Sequence, residues 1–227
     1  MPKDGVCRDL SADAVNALTN DSPAVDCAEP HNAQTYATGS LPSRFATASY
    51  DDVAVADWTY DACTSSLERV VGADESLLMR SILTWAWFRP STAAWNSGVR
   101  WYRCDVVGGQ SPSFVDLPKT VRHLLGARAS DDQWLVCAKG ASFDGAQRVP
   151  CAQPHDWRAV TTIKVGEPAD SYPGDDAVKA KSDEYCQGSV SAYLGYPTNY
   201  DYAYTWFGAE EWQAGNRRSV CWAKTSD

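Results

Sequence analysis

Hydrophobic positions along the chain recur with two periods, and the switch between them outlines the same set of elements twice. Over Val53–Val71, the residues Cys63, Leu67, Val70 and Val71 fall on one face at helical spacing, and Gly72 stands where a left-handed stop is wanted. Over 177–194, the residues Val178, Tyr185, Cys186, Val190, Tyr193 and Leu194 repeat that face. Tyr172-Pro173-Gly174-Asp175-Asp176 supplies a turn and an acidic helix start, and Gly195 followed by Pro197 supplies the end. Each helix precedes an alternating stretch, Trp85-Ala86-Trp87 and Tyr202-Ala203-Tyr204, whose period of two puts both large rings on one sheet face. Closing strands are expected over 99–107 and 217–223. Ahead of the second helix, 133–139 reads as a strand, 140–148 as a turn-rich loop and 148–151 as a returning strand. Each half thus runs strand, strand, helix, strand, strand. The predicted fold class is α+β: two tandem copies of a small module, each an antiparallel sheet with one packed helix. The modules are expected over 1–107 and 133–227. A linker over 108–132 would hold a short helix at 118–125 and a polar stretch at 128–132.

The cysteines carry the same duplication. Eight are present, four in each half: Cys7, Cys27, Cys63 and Cys104, then Cys137, Cys151, Cys186 and Cys221. Cys27-Ala-Glu-Pro30-His31 recurs as Cys151-Ala-Gln-Pro154-His155, and Trp95-x-x-Gly98-x-Arg100 recurs as Trp212-x-x-Gly215-x-Arg217. Each of these tryptophans stands nine residues before the last cysteine of its set. An even count in a repeated spacing with no C-x-x-C pair points to disulfides formed in an oxidising compartment rather than to zinc. The hairpin expected around 140–148 sets Cys137 beside Cys151. Applied to both halves, this predicts Cys7–Cys27, Cys63–Cys104, Cys137–Cys151 and Cys186–Cys221.

Composition narrows the partners. The chain has 227 residues, 44% hydrophobic and 11% aromatic, enough for real cores. A net charge of -9 disfavours nucleic acid and an anionic membrane surface. No apolar run reaches the roughly 18 residues of a membrane span. Met1-Pro2-Lys3-Asp4-Gly5 shows no signal-peptide pattern, so a targeting or anchoring segment is expected to precede Met1 in the full-length protein.

Candidate chemistry is thin. His31 and His155 occupy equivalent positions, and imidazole is the natural acid, base or metal ligand near neutral pH. Neither has a second histidine nearby, only scattered carboxylates such as Asp156. The reading favoured for both is a ring that bonds a backbone carbonyl or a carboxylate and fixes the turn after Pro30 or Pro154. No G-x-S-x-G elbow, H-E-x-x-H helix or phosphate-cradling glycine loop is present. No catalytic residue, metal site or cofactor is expected. Ten tryptophans and eleven tyrosines offer more. Tyr193, Tyr196, Tyr200, Tyr202, Tyr204 and Trp206 crowd one stretch, and rings of this kind favour interfaces and sugar stacking. The alternating rings, Trp85 and Trp87 with Tyr202 and Tyr204, are also the ones that would cover the core under each helix. Tyr196 and Tyr200 flank a loop. Trp95 with Arg100, and Trp212 with Arg217, read as a structural turn holding a cation–π contact.

The pattern C…C-x-x-P-H…C…W-x-x-G-x-R-x-x-x-C resembles the septum formation domain family of actinobacterial envelope proteins, twice over. The resemblance covers most of the chain and departs from the commoner single-copy arrangement. It implies an extracytoplasmic part of a membrane-anchored or secreted protein, tied to the cell envelope and to septation; it carries over no catalytic mechanism and no ligand. The expected function is a non-enzymatic interaction module at the envelope, with an envelope protein as partner. The alternative is a binder of cell-wall glycan through exposed aromatics, and a third reading is a hydrolase built on His155 or His31 with a carboxylate. Contact with a membrane would come only through an anchor outside this sequence.

Overall fold

Strand pairing and disulfides build two separate units, seen in a computed structural model that describes residues 1–127, 131–167, 169–213 and 215–225. Residues 128–130 of the expected polar stretch lie outside the described residues.

In the first unit, β1 (Cys7–Arg8) leads through α1 (Ala12–Asn16) to β2 (Ala33–Ser40) and then to α2 (Val53–Val71). Asp52 caps α2 by accepting from the Ala54 N–H, and Gly72 ends it at φ 72°, donating to the Glu68 carbonyl. Val55, Thr59, Cys63, Leu67 and Val71 form its buried stripe. The chain then leaves through α3 (Glu75–Met79), which belongs to the second unit, and returns in β3 (Leu83–Phe88), α4 (Thr92–Asn96), β4 (Trp101–Gln110), β5 (Ser113–Phe114) and α5 (Leu124–Ala127). The strands are antiparallel in the order β1-β2-β4-β3, with β5 on the end of β4. A bulge between Thr35 and Ala37 gives Tyr36 room to bond the Cys63 carbonyl on α2 through its hydroxyl, at 3.0 Å.

The second unit repeats this plan with one strand more than the sequence reading assigned. β6 (Val136–Lys139), β7 (Gln147–Pro150) and β8 (Trp157–Lys164) precede α6 (Asp175–Tyr193); β9 (Tyr202–Thr205), α7 (Ala209–Gln213) and β10 (Arg218–Lys224) follow, in the sheet order β7-β6-β8-β10-β9. The strand that the reading left out is β8; relative to the first unit the additional strand is β7, because 147–150 pairs with all of β6, whereas in the first unit only an isolated bridge, Cys7 to Val25, stands there. Four disulfides close the units: Cys7–Cys27, Cys63–Cys104, Cys137–Cys151 and Cys186–Cys221. Cys63–Cys104 and Cys186–Cys221 each staple the long helix to the strand beneath it. No helix among the described residues is long and apolar enough to cross a membrane.

The unit boundaries depart from the sequence reading in two places. The stretch 74–82, read as part of the first module, packs in the second unit. The Ile82 N–H donates to the Trp134 carbonyl and the Val136 N–H to the Arg80 carbonyl, each at 2.9 Å, while Leu77 packs on Leu135, Val149 and the Cys137–Cys151 bridge. The stretch 108–127, read as linker, belongs to the first unit. The Leu117 N–H donates to the His31 carbonyl and the Val121 N–H to the Gln34 side chain. Those N–H groups are committed outside any helix, so the short helix expected at 118–125 forms only at Leu124–Ala127.

Candidate functional site

The two histidines of the repeated motif, His31 and His155, are buried, and both are held in the same way. His31 Nδ1 lies 2.8 Å from the Glu29 carbonyl, and His155 Nδ1 lies 2.8 Å from the Gln153 carbonyl. A carbonyl only accepts, so Nδ1 carries the proton and each ring pins the turn beside Pro30 or Pro154. Neither histidine lines the cleft of about 560 Å³ beside α6 or the cleft of about 230 Å³ between α1 and β5. Among the described residues, no group of three or more His, Cys, Asp or Glu is placed to hold a metal ion.

The tryptophan–glycine–arginine motif makes a closed turn in each unit. Trp95 lies in the last turn of α4 and is buried, donating through Nε1 to the Ala48 carbonyl at 3.0 Å. Gly98 takes φ 91°, which a side chain would strain, and swings the chain so that Arg100 lies over the Trp95 ring at 4.0 Å. The Arg100 guanidinium also donates to the carbonyls of Trp95 and Val99. In the second unit Trp212 donates to the Asp170 carbonyl, Gly215 takes φ 100°, and Arg217 sits 3.9 Å over the Trp212 ring while donating to the carbonyls of Trp212 and Asn216. With the indole faces and these carbonyls engaged, the motif is part of the frame.

The alternating rings lie under the helices. Trp85 and Trp87 stand opposite Val106 and Cys104, on the face that α2 covers, and Trp85 packs on Tyr60 of α2 at 5.2 Å. Tyr202 and Tyr204 stand opposite Ala223 and Cys221 and pack around the Cys186–Cys221 bridge together with Tyr200. The Tyr200 hydroxyl donates to the Gln187 carbonyl and the Tyr202 hydroxyl to Asp183. Partial burial and that acceptor push the Tyr202 phenol up to about 12. Different rings face solvent: Tyr196 at 77%, Tyr193 at 53%, Trp206 at 43% and Tyr185 at 41%. Tyr196 follows the αL glycine that ends α6 and is itself left-handed, at φ 61°. Lys179 Nζ caps the Trp206 ring at 3.9 Å. Beside Tyr185, between α6 and Ile163 of β8, runs the cleft of about 560 Å³.

A family model described as septum formation matches residues 1–89 and again residues 79–221. The chain belongs to the septum formation family. No curated protein and no solved structure matches it. The two matches agree with two tandem septum formation copies. Their bridges fit an oxidising, extracytoplasmic setting.

The two septum formation copies differ on the sheet face away from the long helix, which sequence reasoning did not single out. In the first, the fully buried Asp105 carboxylate meets Arg103 at 3.0 Å and Arg8 at 3.8 Å, and it accepts from the Thr35 hydroxyl at 2.7 Å. Burial pushes the Asp105 carboxyl up against the pull of these partners. In the second copy the residue after the last cysteine is Trp222 rather than an acid. Arg148 lies over Trp222 at 4.1 Å and over Phe143 at 4.7 Å, and Phe143 also meets Trp157 at 5.5 Å. The signal was readable in the repeat: Cys104-Asp105 against Cys221-Trp222.

Proposed function

We propose that this protein is a non-catalytic interaction module of the actinobacterial cell envelope, working in septation and binding an envelope protein through the solvent-facing side of the second copy. Membership in the septum formation family supports the setting. The observation that carries the binding reading is the set of exposed rings on and just beyond α6, Tyr185, Tyr193 and Tyr196, next to an open cleft. Large rings left in water beside a concavity are the usual anchors of an interface. Tyr200, Tyr202 and Tyr204 are committed to packing around the Cys186–Cys221 bridge. The deciding experiment is photocrosslinking in growing cells with benzoylphenylalanine in place of Tyr196. An adduct to one defined envelope protein, lost when Tyr185 and Tyr193 are replaced by alanine, is the expected result.

The same exposed rings support cell-wall glycan binding as a second reading, since tyrosine and tryptophan faces stack on sugars. Co-sedimentation with purified peptidoglycan separates the two. Binding that disappears in Tyr193→Ala/Tyr196→Ala, with no protein adduct, would replace the protein partner by glycan. Release of peptidoglycan fragments that stops on His155→Ala would overturn the non-catalytic reading itself.

A further inference from the structure

The cleft beside α6 is lined by Lys181 and Ile163, whose counterparts in the first copy are Trp58 and the Gly39 that Tyr102 covers. The repeat supplies the correspondence. Trp58 and Lys181 each stand five residues before the helix cysteine, Tyr102 and Ser219 two residues before the last cysteine, and Gly39 and Ile163 eight residues after the histidine. Register agrees independently: Gly39 pairs with Tyr102, and Ile163 pairs with Ser219.

In the first copy Trp58 meets Tyr102 edge to face at 5.2 Å and Phe45 at 6.1 Å. Tyr102 lies so close over Gly39 that a Cβ there would come within 2.8 Å of its ring. The place is full. In the second copy neither position carries a ring: Lys181 Nζ donates to the Val165 carbonyl at 3.2 Å, and the buried Ser219 accepts from Ser182 at 2.7 Å. What opens is a cleft of about 560 Å³ floored by Ile163 and walled by Lys181, Glu184, Tyr185, Gly188 and Ala192. A Cβ at Gly188 would meet nothing within 4 Å, so bulk is missing from that wall as well.

We infer that this cleft receives an aromatic side chain, tryptophan above all, carried by a basic peptide segment of a partner protein. The first copy shows which group fits, because it closes the equivalent position with its own Trp58 ring. The lining holds one charge of each sign; Lys181 is held by the Val165 carbonyl, so the charge of the partner follows from Glu184, whose exposed carboxylate has no hydrogen-bond or ion-pair partner among the described residues and stands at the rim beside Tyr185, and from the net charge of -9. An arginine next to the inserted tryptophan would meet Glu184 while the indole lies against Tyr185 and Ile163. The inference rests on the binding reading above and names the ligand class of one site within it.

The test is an NMR titration of the whole oxidised chain with N-acetyl-Trp-Arg-amide, with N-acetyl-Trp-Glu-amide and a soluble peptidoglycan disaccharide in parallel. The arginine dipeptide is expected to move the amides of Ile163, Tyr185, Gly188 and Ala192, and to bind about tenfold more tightly than the glutamate dipeptide. Gly188→Phe and Lys181→Trp, which fill the cleft from two positions two turns apart on one face of α6, are expected to abolish those shifts while the remaining amides stay in place. Shifts from the disaccharide alone, shifts that survive both plugs, or no shifts at all would overturn the assignment. The two readings fail separately. A Tyr196 crosslink in cells with an inert cleft sinks only the cleft, whereas dipeptide binding with no crosslink sinks the envelope-protein reading and leaves the cleft.

Discussion

The Asp105 carboxylate sits out of contact with water between Arg103 and Arg8, and this geometry sets what its replacement does. Removing one member of a buried ionic group strands the others, a loss of about 3–5 kcal/mol. Asp105→Ala is therefore expected to lower the urea midpoint of the first unit strongly, and Asp105→Asn, which keeps an acceptor for Thr35, by less. The pH dependence follows from direction alone. Burial raises the folded carboxyl above its unfolded value near 3.8, so the folded state holds the proton more tightly. The contribution of this titration to stability is then full below the unfolded value and declines as pH rises through the folded one. The Tm difference between the parent and Asp105→Asn should shrink with rising pH across that window and then level off; a difference that grows would refute the direction. The Arg217 stack gives a second residue-level expectation. Lysine cannot lie flat on Trp212 while donating to two carbonyls, so Arg217→Lys should cost about 1–2 kcal/mol in denaturant unfolding.

Each long helix is held to its sheet by a bridge that spans a long stretch of chain, 41 residues for Cys63–Cys104 and 35 for Cys186–Cys221. In the chain-entropy model such loops are worth about 4 kcal/mol, against about 3 for the shorter Cys137–Cys151 loop. Replacing Cys186 and Cys221 together by serine should therefore destabilise the second unit more than replacing Cys137 and Cys151, as read by thermal unfolding. The reverse order would mean that native packing, not loop closure, sets the effect. At this scale much was legible in the sequence. The faces of α2 and α6 and the alternation in β3 and β9 are local periodicities, and a repeat shows each of them twice; Tyr185 and Tyr193, read onto the α6 face, instead stand exposed, and the buried stripe is Val178, Ser182, Cys186 and Val190. Element ends moved by a few residues where side chains intervened: Gln34 takes the Val121 N–H, and the helix after it starts late. The ring set was legible in part. Tyr196 lies open as a loop residue can, but Tyr200, its apparent twin across Pro197, bonds Gln187 and packs inward.

At the scale of the whole molecule, the second unit is not a contiguous stretch of chain. It contains 74–82, whose backbone bonds Trp134 and Val136 and whose Leu77 closes the core beside the Cys137–Cys151 bridge. A fragment of residues 128–227 is expected to be markedly less stable than the same region in the full chain. A synthetic 74–82 peptide added in trans should raise its Tm, and a Leu77→Ala version of that peptide should not. Equal stability with and without the peptide would make 74–82 an ornament of the second unit. The family matches overlap at 79–89, so residues 79–82 of this stretch fall within both.

By itself the sequence determined what local pattern and duplication can carry: an α+β module built twice, its long helices, its alternating strands and its pairs of corresponding cysteines. Periodicity is a property of neighbouring residues, and repetition removes the ambiguity of any single copy. Only the tertiary structure decided which rings face water, where Asp105 finds its arginines, which unit owns 74–82, and that a cleft stands open beside Lys181 where the first copy packs Trp58 on Tyr102. Each of these depends on residues far apart in the chain meeting across a sheet or a helix, and burial is decided by that meeting rather than by the residue's own hydrophobicity.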